Sequence, residues 1–271
     1  MLAAAFLLGV FSIPGGAHYR QATPSVGVAG PSRTGGPTWP ALEVTALGDS
    51  VTAGSRCDCE PFPELYADAR RRDDRVPVEI ANDGVAGQTS ADVLAELQDD
   101  RAVQADVAGA NVVVLTIGAN DFGPDYGPVT AGRCGEDDAL ACARPALAAL
   151  ADRLPRILAR IDRLRNHQPT AVLVTGYWNV FEDGDVAAAS MTPGGLTISD
   201  RLTRASNAVT AAAATKAHDT YVDLYAPFKG ESAEKDPTSL LADDGDHPNA
   251  AGHRLIAHTL LAAGLAPLTP H

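Results

Sequence analysis

Apolar runs alternate with amphipathic segments through most of the chain. Five runs rich in branched apolar residues predict strands at residues 42–47, 76–82, 111–118, 170–178 and 219–226. The third run, NVVVLTIG, is continuously apolar, which is typical of a central parallel strand covered on both faces. Helical periodicity predicts helices at residues 62–72, 91–100, 145–167, 199–218 and 249–264. This alternation predicts an α/β fold in which helices cover both faces of a mainly parallel sheet.

Local signals refine this assignment. Thr89 and Asp92 have the spacing of a capping box, so a helix is expected to begin just after Thr89. In the long helix, Pro145 suits the first turn, whereas Pro155 is expected to bend the helix or divide it. Residues 182–197 are weakly patterned and are interpreted as a mobile flap over a site or as a surface loop.

The first forty residues differ from the rest of the chain. Residues 1–20 are almost wholly apolar and are interpreted as a secretory signal peptide or, alternatively, as an N-terminal membrane anchor. Residues 21–40 are rich in Gly, Pro, Ser and Thr and are expected to form a disordered linker. The folded domain is therefore expected to span residues 41–271. The protein is expected to be secreted, or held at the membrane by its N-terminal segment.

Four cysteines follow this export-like segment, and their even number predicts disulfides. Cys134 and Cys142 would close one polar loop, which leaves Cys57 and Cys59 to form a tight ring of an uncommon kind. Crossed pairings are the alternative. A zinc site is a weaker interpretation, because the cysteines lack CxxC spacing. The net charge of −13 argues against a nucleic-acid partner.

Chemically suggestive residues follow three successive predicted strands. Ser50 follows the first strand, Gly87 the second and Asn120 the third. Because ligands bind beyond the carboxyl ends of parallel strands, we expect these residues to meet at one edge of the sheet. Near the C-terminus, Asp244 precedes His247 by three residues, a spacing at which the carboxylate can reach the imidazole. The set therefore predicts a Ser-His-Asp triad.

Each residue of this set has an expected role. Ser50 would be the nucleophile, and His247, oriented by Asp244, would act as base and then as acid. The N–H groups of Ser50 and Gly87 and the side-chain amide of Asn120 would form the oxyanion hole. This mechanism needs no metal and no organic cofactor.

Other catalytic motifs are absent from the sequence. Ser50 does not lie in a GxSxG elbow, and the chain contains no GxxxxGK[ST] loop, GxGxxG or HExxH. Nucleotide-binding and zincin interpretations are thereby excluded.

Four segments together resemble the motifs of the SGNH hydrolases, also called GDSL-type esterases and lipases. They are GDSVTAG, NDGVAG, GAND and DGDHP, and they occur in the family's order between residues 48 and 248. The cysteine-bearing pattern is similar to secreted esterases and lipases of actinobacterial type. The resemblance implies a flavodoxin-like, three-layer α/β/α sandwich with a five-stranded sheet. It also implies the triad and oxyanion roles given above.

The resemblance implies hydrolysis of carboxylic esters through an acyl-serine. The expected substrate is a small-molecule ester, a lipid or an acetylated sugar, with no nucleic acid and no obligate protein partner. Carbohydrate O-acetylesterase, thioesterase and, more remotely, a non-catalytic binding module are the alternatives.

Residues outside these motifs carry weaker expectations. Tyr177, Trp178 and Asn179 leave the fourth strand at the same edge, where they either line the substrate cleft or pack over the sheet end. His253 and His258 lie on the last predicted helix and are interpreted as structural or solvated.

Overall fold

A computed structural model describes residues 41–135 and 138–269. The predicted signal or anchor segment and the predicted linker lie outside these residues, whereas the predicted domain contains them. Within the described ranges, no helix combines the length and the apolar character needed to cross a membrane.

A five-stranded, wholly parallel sheet forms the centre of the described fold. Its strands are β1 (Leu42–Gly48), β2 (Val78–Gly84), β3 (Val112–Thr116), β4 (Ala171–Thr175) and β5 (Thr220–Val222). The strand order is β2-β1-β3-β4-β5, so the chain moves from β1 to one side and then returns to fill the other side. The predicted five-stranded parallel sheet is thus confirmed.

Helices cover both faces of the sheet. They are α1 (Ser50–Ala53), α2 (Phe62–Asp73), α3 (Ser90–Asp99), α4 (Arg101–Gly109), α5 (Tyr126–Thr130), α6 (Arg144–Leu164), α7 (Gly184–Ser190), α8 (Pro193–Ala217), α9 (Tyr225–Lys229) and α10 (Ala250–Ala262). Short 3₁₀ helices span Ala119–Asp125 and Thr238–Leu240. These layers give the predicted three-layer sandwich.

The central strand β3 separates two hydrophobic clusters. Val113 and Leu115 join one cluster, with residues of α3, α4, α6 and α8. Val112 and Val114 join the other, with residues of α2, α9 and α10. All five residues of β3 are buried, because side chains alternate between two covered faces. The continuously apolar run in the sequence therefore reflects its central position.

Several helices differ from the sequence-based expectation. α6 runs through Pro155 without division, and Leu154, Ile157 and Leu158 bury its inner face around that position. Tertiary packing thus outweighs the loss of one backbone hydrogen bond. α4 was not predicted, because residues 101–109 carry only a short apolar stripe on Val103 and Val107.

Residues 182–197 form α7 and the first turns of α8, where a flap or an irregular loop was expected. The side chain of Asp183 accepts a hydrogen bond from the N–H of Gly184, and that of Thr192 accepts from Gly195. Ala187 and Met191 are buried beneath this segment. Side-chain caps at both starts and this small buried face stabilise helices whose periodicity is too short to detect in the sequence.

The reversal of strand order falls between β1 and β3. The chain leaves β1 towards β2 on one side, and β3 begins the path towards β5 on the other. In open parallel sheets, the crevice for a ligand forms at this point, beyond the carboxyl ends of the strands. Gly48 at the end of β1 pairs with Thr116 at the end of β3, so both strands end at the same level.

Candidate active site

The turn after β1 is compact and allows little substitution. Gly48 has φ of +150°, and a Cβ there would lie 2.2 Å from the carbonyl oxygen of Thr116. The N–H of Asp49 donates to that same oxygen at 3.2 Å. Only glycine permits this close approach of β1 to β3. Ser50 follows at once as the first residue of α1, half-buried at the sheet edge.

Asp49 anchors this turn from within the protein. Its Oδ1 accepts a hydrogen bond from the N–H of Val51 at 3.0 Å, and its Oδ2 accepts one from the hydroxyl of Tyr177. The side chain is completely buried. Burial raises its pKa to about 6, although the hydrogen bonds from Tyr177 and Val51 and the nearby His247 oppose the shift. Asp49 thus shapes the turn from which Ser50 follows.

The predicted pair of Asp244 and His247 is in contact. His247 Nδ1 lies 2.7 Å from Asp244 Oδ2, whereas Asp246, the adjacent acid, is 3.9 Å away. Asp244 Oδ1 accepts the backbone N–H groups of Asp246 and His247 at 3.0 and 3.1 Å. Partial burial alone would raise the pKa of Asp244, but these hydrogen bonds together lower it to about 2. Asp244 therefore stays ionised and holds the ring.

The loop that carries this pair is closed on itself. Leu241 and Pro248 form an antiparallel bridge, and the N–H of Ala242 donates to the carbonyl of His247 at 2.8 Å. A further bond joins it to the start of α7, because the N–H of Asp183 donates to the carbonyl of Gly245 at 2.7 Å. We call residues 241–248 the His–Asp loop.

His247 lies close enough to Asp49 to affect its charge; we call residues 48–50, which carry the predicted nucleophile, the nucleophile turn. Its positive form lowers the pKa of Asp49, the residue that directly precedes Ser50. No hydrogen bond joins the Ser50 hydroxyl to the imidazole in the described part of the chain. Catalytic hydrogen bonds in enzymes without substrate are often long and tighten on binding. The described residues therefore bring the predicted nucleophile and the predicted base to the same sheet edge.

The two remaining predicted site residues, Gly87 and Asn120, lie on loops that are in contact. The Asn120 side-chain amide donates to the carbonyl of Gln88 at 2.8 Å, directly after Gly87. Gly87 has φ of +82°, and a Cβ there would meet no atom within 4 Å. Its backbone therefore faces open space. A side-chain amide has two N–H donors, so the Asn120 bond to Gln88 leaves one donor for a ligand.

A polar network fastens the loops after β2 and β3 to each other. Asp121 accepts hydrogen bonds from the N–H and hydroxyl of Ser90, at 2.8 and 2.5 Å, and an ion pair with Arg153 at 3.0 Å completes its contacts. The sequence did not predict this network, although Asp121 belongs to the GAND segment. Ser90 is the first residue of α3. The capping box between Thr89 and Asp92 that precedes it is confirmed.

Tyr177, Trp178 and Asn179 lie in the interior, with exposed fractions of 3%, 1% and 5%. The Trp178 ring stacks on Phe228 at 4.2 Å. Asn179 Oδ1 accepts from the hydroxyls of Ser199 and Thr203 at 2.8 and 3.0 Å. These contacts favour packing over the sheet end rather than lining of a cleft. The contact of Tyr177 with Asp49 gives it a supporting position beneath the nucleophile turn.

The cysteines pair locally, Cys57 with Cys59 and Cys134 with Cys142. The tight ring is thus the pairing found, and the crossed alternatives are not. Such disulfides are compatible with an extracellular protein.

Among the described residues, Cys57, Cys59 and His253 bring potential metal ligands within 4.8 Å of one another. The thiolate is the form of cysteine that binds metals, and both sulfurs are used in the disulfide. His253 is buried and accepts the N–H of Phe62 at 3.1 Å, and burial lowers its pKa to about 4. His253 is therefore structural, whereas His258 is exposed.

Solved structures of ester-cleaving enzymes share this fold. A lipase from a goat rumen metagenome is 20% identical, with a TM-score of 0.65 over 84% of this chain and all of that one. Phospholipase A1 from Streptomyces albidoflavus is 22% identical, with a TM-score of 0.60 over 84% of this chain and all of that one. A mutant acetylxylan esterase from Geobacillus stearothermophilus is 17% identical, with a TM-score of 0.57 over 84% and 95% of the chains.

Sequence comparisons place the chain in a family. A search of curated proteins finds no significant match. The sequence model described as the GDSL-like Lipase/Acylhydrolase family matches residues 46–255, which contain Ser50, Gly87, Asn120, Asp244 and His247. That match covers most of the chain, and its description is that of ester hydrolases. The chain belongs to the GDSL-like lipase/acylhydrolase family.

Proposed function

We propose that this protein is an exported serine hydrolase that cleaves carboxylic esters through an acyl-serine intermediate. The observation that carries the proposal is the 2.7 Å contact between His247 Nδ1 and Asp244 Oδ2, at the edge where Ser50 begins α1. A carboxylate on Nδ1 selects the tautomer whose Nε2 is free to accept a proton. Membership of the family supports the same reaction class.

In the first half of the reaction, Ser50 Oγ attacks the ester carbonyl carbon. His247 Nε2 takes the hydroxyl proton as the new C–O bond forms. The tetrahedral intermediate then collapses, the bond to the alkoxy oxygen breaks, and His247 returns the proton to the departing alcohol. Asp244 stays ionised throughout and stabilises the imidazolium.

The negative charge on the carbonyl oxygen requires donors that are already in place. In this proposal the N–H groups of Ser50 and Gly87 and the free N–H of Asn120 supply them. The polar network around Asp121 supports this assignment, because it fixes the loops that carry Gly87 and Asn120. Donors held in this way need little reorganisation when charge develops.

Deacylation repeats the sequence with water. His247 removes a proton from water, which attacks the acyl carbonyl. The Ser50–acyl bond then breaks, Ser50 recovers the proton from His247, and the carboxylic acid leaves. Every group named in these steps belongs to this chain, to the ester or to water.

The proposed substrate class is a small-molecule carboxylic ester, which includes lipid esters and acetylated sugars. The solved structures with this fold are named a lipase, a phospholipase A1 and an acetylxylan esterase, so both ester types occur on similar scaffolds. Carbohydrate O-acetyl esters and thioesters need the same nucleophile and oxyanion donors.

The mechanism is tested by hydrolysis of an aryl acetate, with Ser50→Ala as the variant. We expect kcat to fall by about 10⁴–10⁶-fold, because the nucleophile is lost. Ser55→Ala, five residues further along the same segment, is the matched control and should retain activity. A fluorophosphonate should add one phosphonyl group at Ser50, and the mass increase should be absent in Ser50→Ala. Full activity in Ser50→Ala would overturn the mechanism, and absence of turnover and labelling in the unmodified protein would favour a binding module.

A further inference from the structure

We infer that Arg56 is a positioning residue for the proposed triad. Arg56 shares the Asp244 carboxylate with His247, and it thereby sets the pH below which activity is lost. The inference rests on the proposed function. Arg56 Nε donates to Asp244 Oδ2 at 3.1 Å. The same oxygen contacts His247 Nδ1 at 2.7 Å. One carboxylate oxygen thus serves two nitrogen donors.

The backbone around Arg56 is arranged to make this contact. Arg56 has φ of +61°, a left-handed conformation that costs a non-glycine residue about 1–2 kcal/mol. On one side, the N–H of Ser55 donates to the carbonyl of Ser50 at 2.9 Å. On the other side, the Cys57–Cys59 disulfide closes the chain into a small ring. Unfavourable conformations persist where neighbouring structure enforces them, frequently at functional sites.

Arg56 therefore connects the two halves of the proposed active site. Its segment begins at the Ser50 carbonyl, and its side chain ends on the acid of the His–Asp loop. The Asp244 side chain is 18% exposed, so its charge is only partly screened. Arg56 itself is 61% exposed, so its effect should depend on salt.

The charge around His247 is otherwise mostly negative. Asp244 and Asp246 face the ring from its own loop, and Asp49 faces it from the nucleophile turn. Glu182 acts on Asp246 from the start of the α7 segment. His253 on α10 is the other nearby group that carries a positive charge when protonated, and it is buried. Among the described residues, Arg56 is thus an exposed, permanently charged cation on the carboxylate that holds this ring.

These charges determine how Arg56 affects the proton affinity of His247. Carboxylates near an imidazole stabilise its protonated form, which cannot act as a base. Arg56 partly neutralises Asp244, so it weakens that stabilisation. Removing the guanidinium should make His247 hold its proton more tightly. Activity should then be lost at a higher pH on the acidic side.

The experiment compares the pH dependence of kcat/KM in the unmodified protein and in Arg56→Gln. We expect the acidic limb to move up by about 0.5–1 pH unit, because Arg56 is 61% exposed and water screens its charge strongly. At a pH well below the midpoint, this is a loss of about 3–10-fold. Arg56→Lys keeps the charge without the planar fork, so it should recover part of the shift. In 1 M NaCl the difference between Arg56→Gln and the unmodified protein should shrink.

Arg156→Gln is the matched control. Arg156 is also exposed, at 57%, and pairs with Asp152 at 3.1 Å on α6, away from the His–Asp loop. It removes the same charge, so it should leave the acidic limb in place. If Arg56 merely braced its loop, Arg56→Gln would lower kcat/KM equally at all pH values without moving the limb. That result would overturn the inference.

A second measurement does not depend on turnover. The His247 imidazole can be titrated by NMR in Ser50→Ala protein, with its signal assigned through its loss in His247→Gln. The midpoint should rise when Arg56→Gln is added. If the His247 midpoint moves but the unmodified protein has no esterase activity, the effect of Arg56 on His247 is supported and the proposed function is rejected. If the midpoint does not move but Ser50→Ala abolishes esterase activity, the role of Arg56 is rejected and the proposed function stands.

Discussion

The two halves of the candidate site are built differently. Ser50, Gly87 and Asn120 follow adjacent strands, and backbone hydrogen bonds and buried side chains fix their loops; we call these three the strand-end site. The His–Asp loop lies outside the sheet, and side-chain contacts of Asp244 with His247 and Arg56 complete it. The first half continues directly from the buried strands, whereas the second is held against them by contacts of its own loop.

This difference predicts how each half fails. A change at Gly48, which leads into the strand-end site, disturbs the packing between β1 and β3, so stability and activity should fall together. A change in the His–Asp loop removes a side-chain contact near the surface, so activity should fall while the fold persists. Three substitutions test this contrast.

The largest effect is expected from Asp244→Asn. An amide in place of the carboxylate favours the wrong tautomer of His247, and kcat/KM should fall by about 10³–10⁴-fold. The unfolding midpoint should change little, because the amide oxygen can still accept the N–H groups of Asp246 and His247. Asp246→Asn is the control, with an expected loss below tenfold, since Asp246 lies 3.9 Å from Nδ1. Equal losses in both variants would contradict the assignment of Asp244.

Gly48→Ala should damage stability as well as activity. The added methyl would lie 2.2 Å from the Thr116 carbonyl oxygen, and the free energy of unfolding should fall by about 2–4 kcal/mol in urea titrations. Gly87→Ala is the comparison, because it shares a positive φ but has open space around its Cα. Its cost should be about 1–2 kcal/mol. A stable Gly48→Ala protein would show that the turn after β1 does not depend on its close approach to β3.

The smallest expected effect concerns pH and Asp49. Its pKa is about 6 in the folded protein against 3.8 as the ordinary value, mainly because it is buried. The folded protein therefore binds more protons between these values, so Asp49 makes stability fall as pH rises from about 4 to 6, by about 2 kcal/mol. Asp49→Asn should remove this contribution, while its amide oxygen can still accept the N–H of Val51 and its NH₂ can donate to the hydroxyl oxygen of Tyr177. Urea titrations at pH 4 and pH 6 should show a smaller decrease in the variant, and an identical decrease would reject the assignment.

The parallel sheet and the strand-end site were predictable because both depend on local pattern. NVVVLTIG had to be a central strand, and the polar residues after successive parallel strands had to share an edge. Contacts between distant segments were not predictable. Nothing in the sequence indicated that Tyr177 bonds to Asp49, or that Asp121 fastens Ser90, because such pairs are specified by the packed sheet.

Other differences have equally physical causes. α7 is short, and its stability comes from the Asp183 cap and from burial, which periodicity does not detect. The disulfide pairing depends on distances between sulfurs, which spacing along the chain leaves open. No pattern in the sequence pointed to Arg56, since its contact with Asp244 joins residues 188 positions apart.

The bond from the N–H of Asp183 to the carbonyl of Gly245 makes α7 and the His–Asp loop one mechanical unit. Asp183 is itself held by Lys229, whose Nζ lies 2.9 Å from its carboxylate within a buried ion pair. A segment anchored at both points cannot swing outward as a lid without pulling on the loop that carries His247. In the proposed mechanism, an outward movement of α7 would therefore displace the base together with the helix.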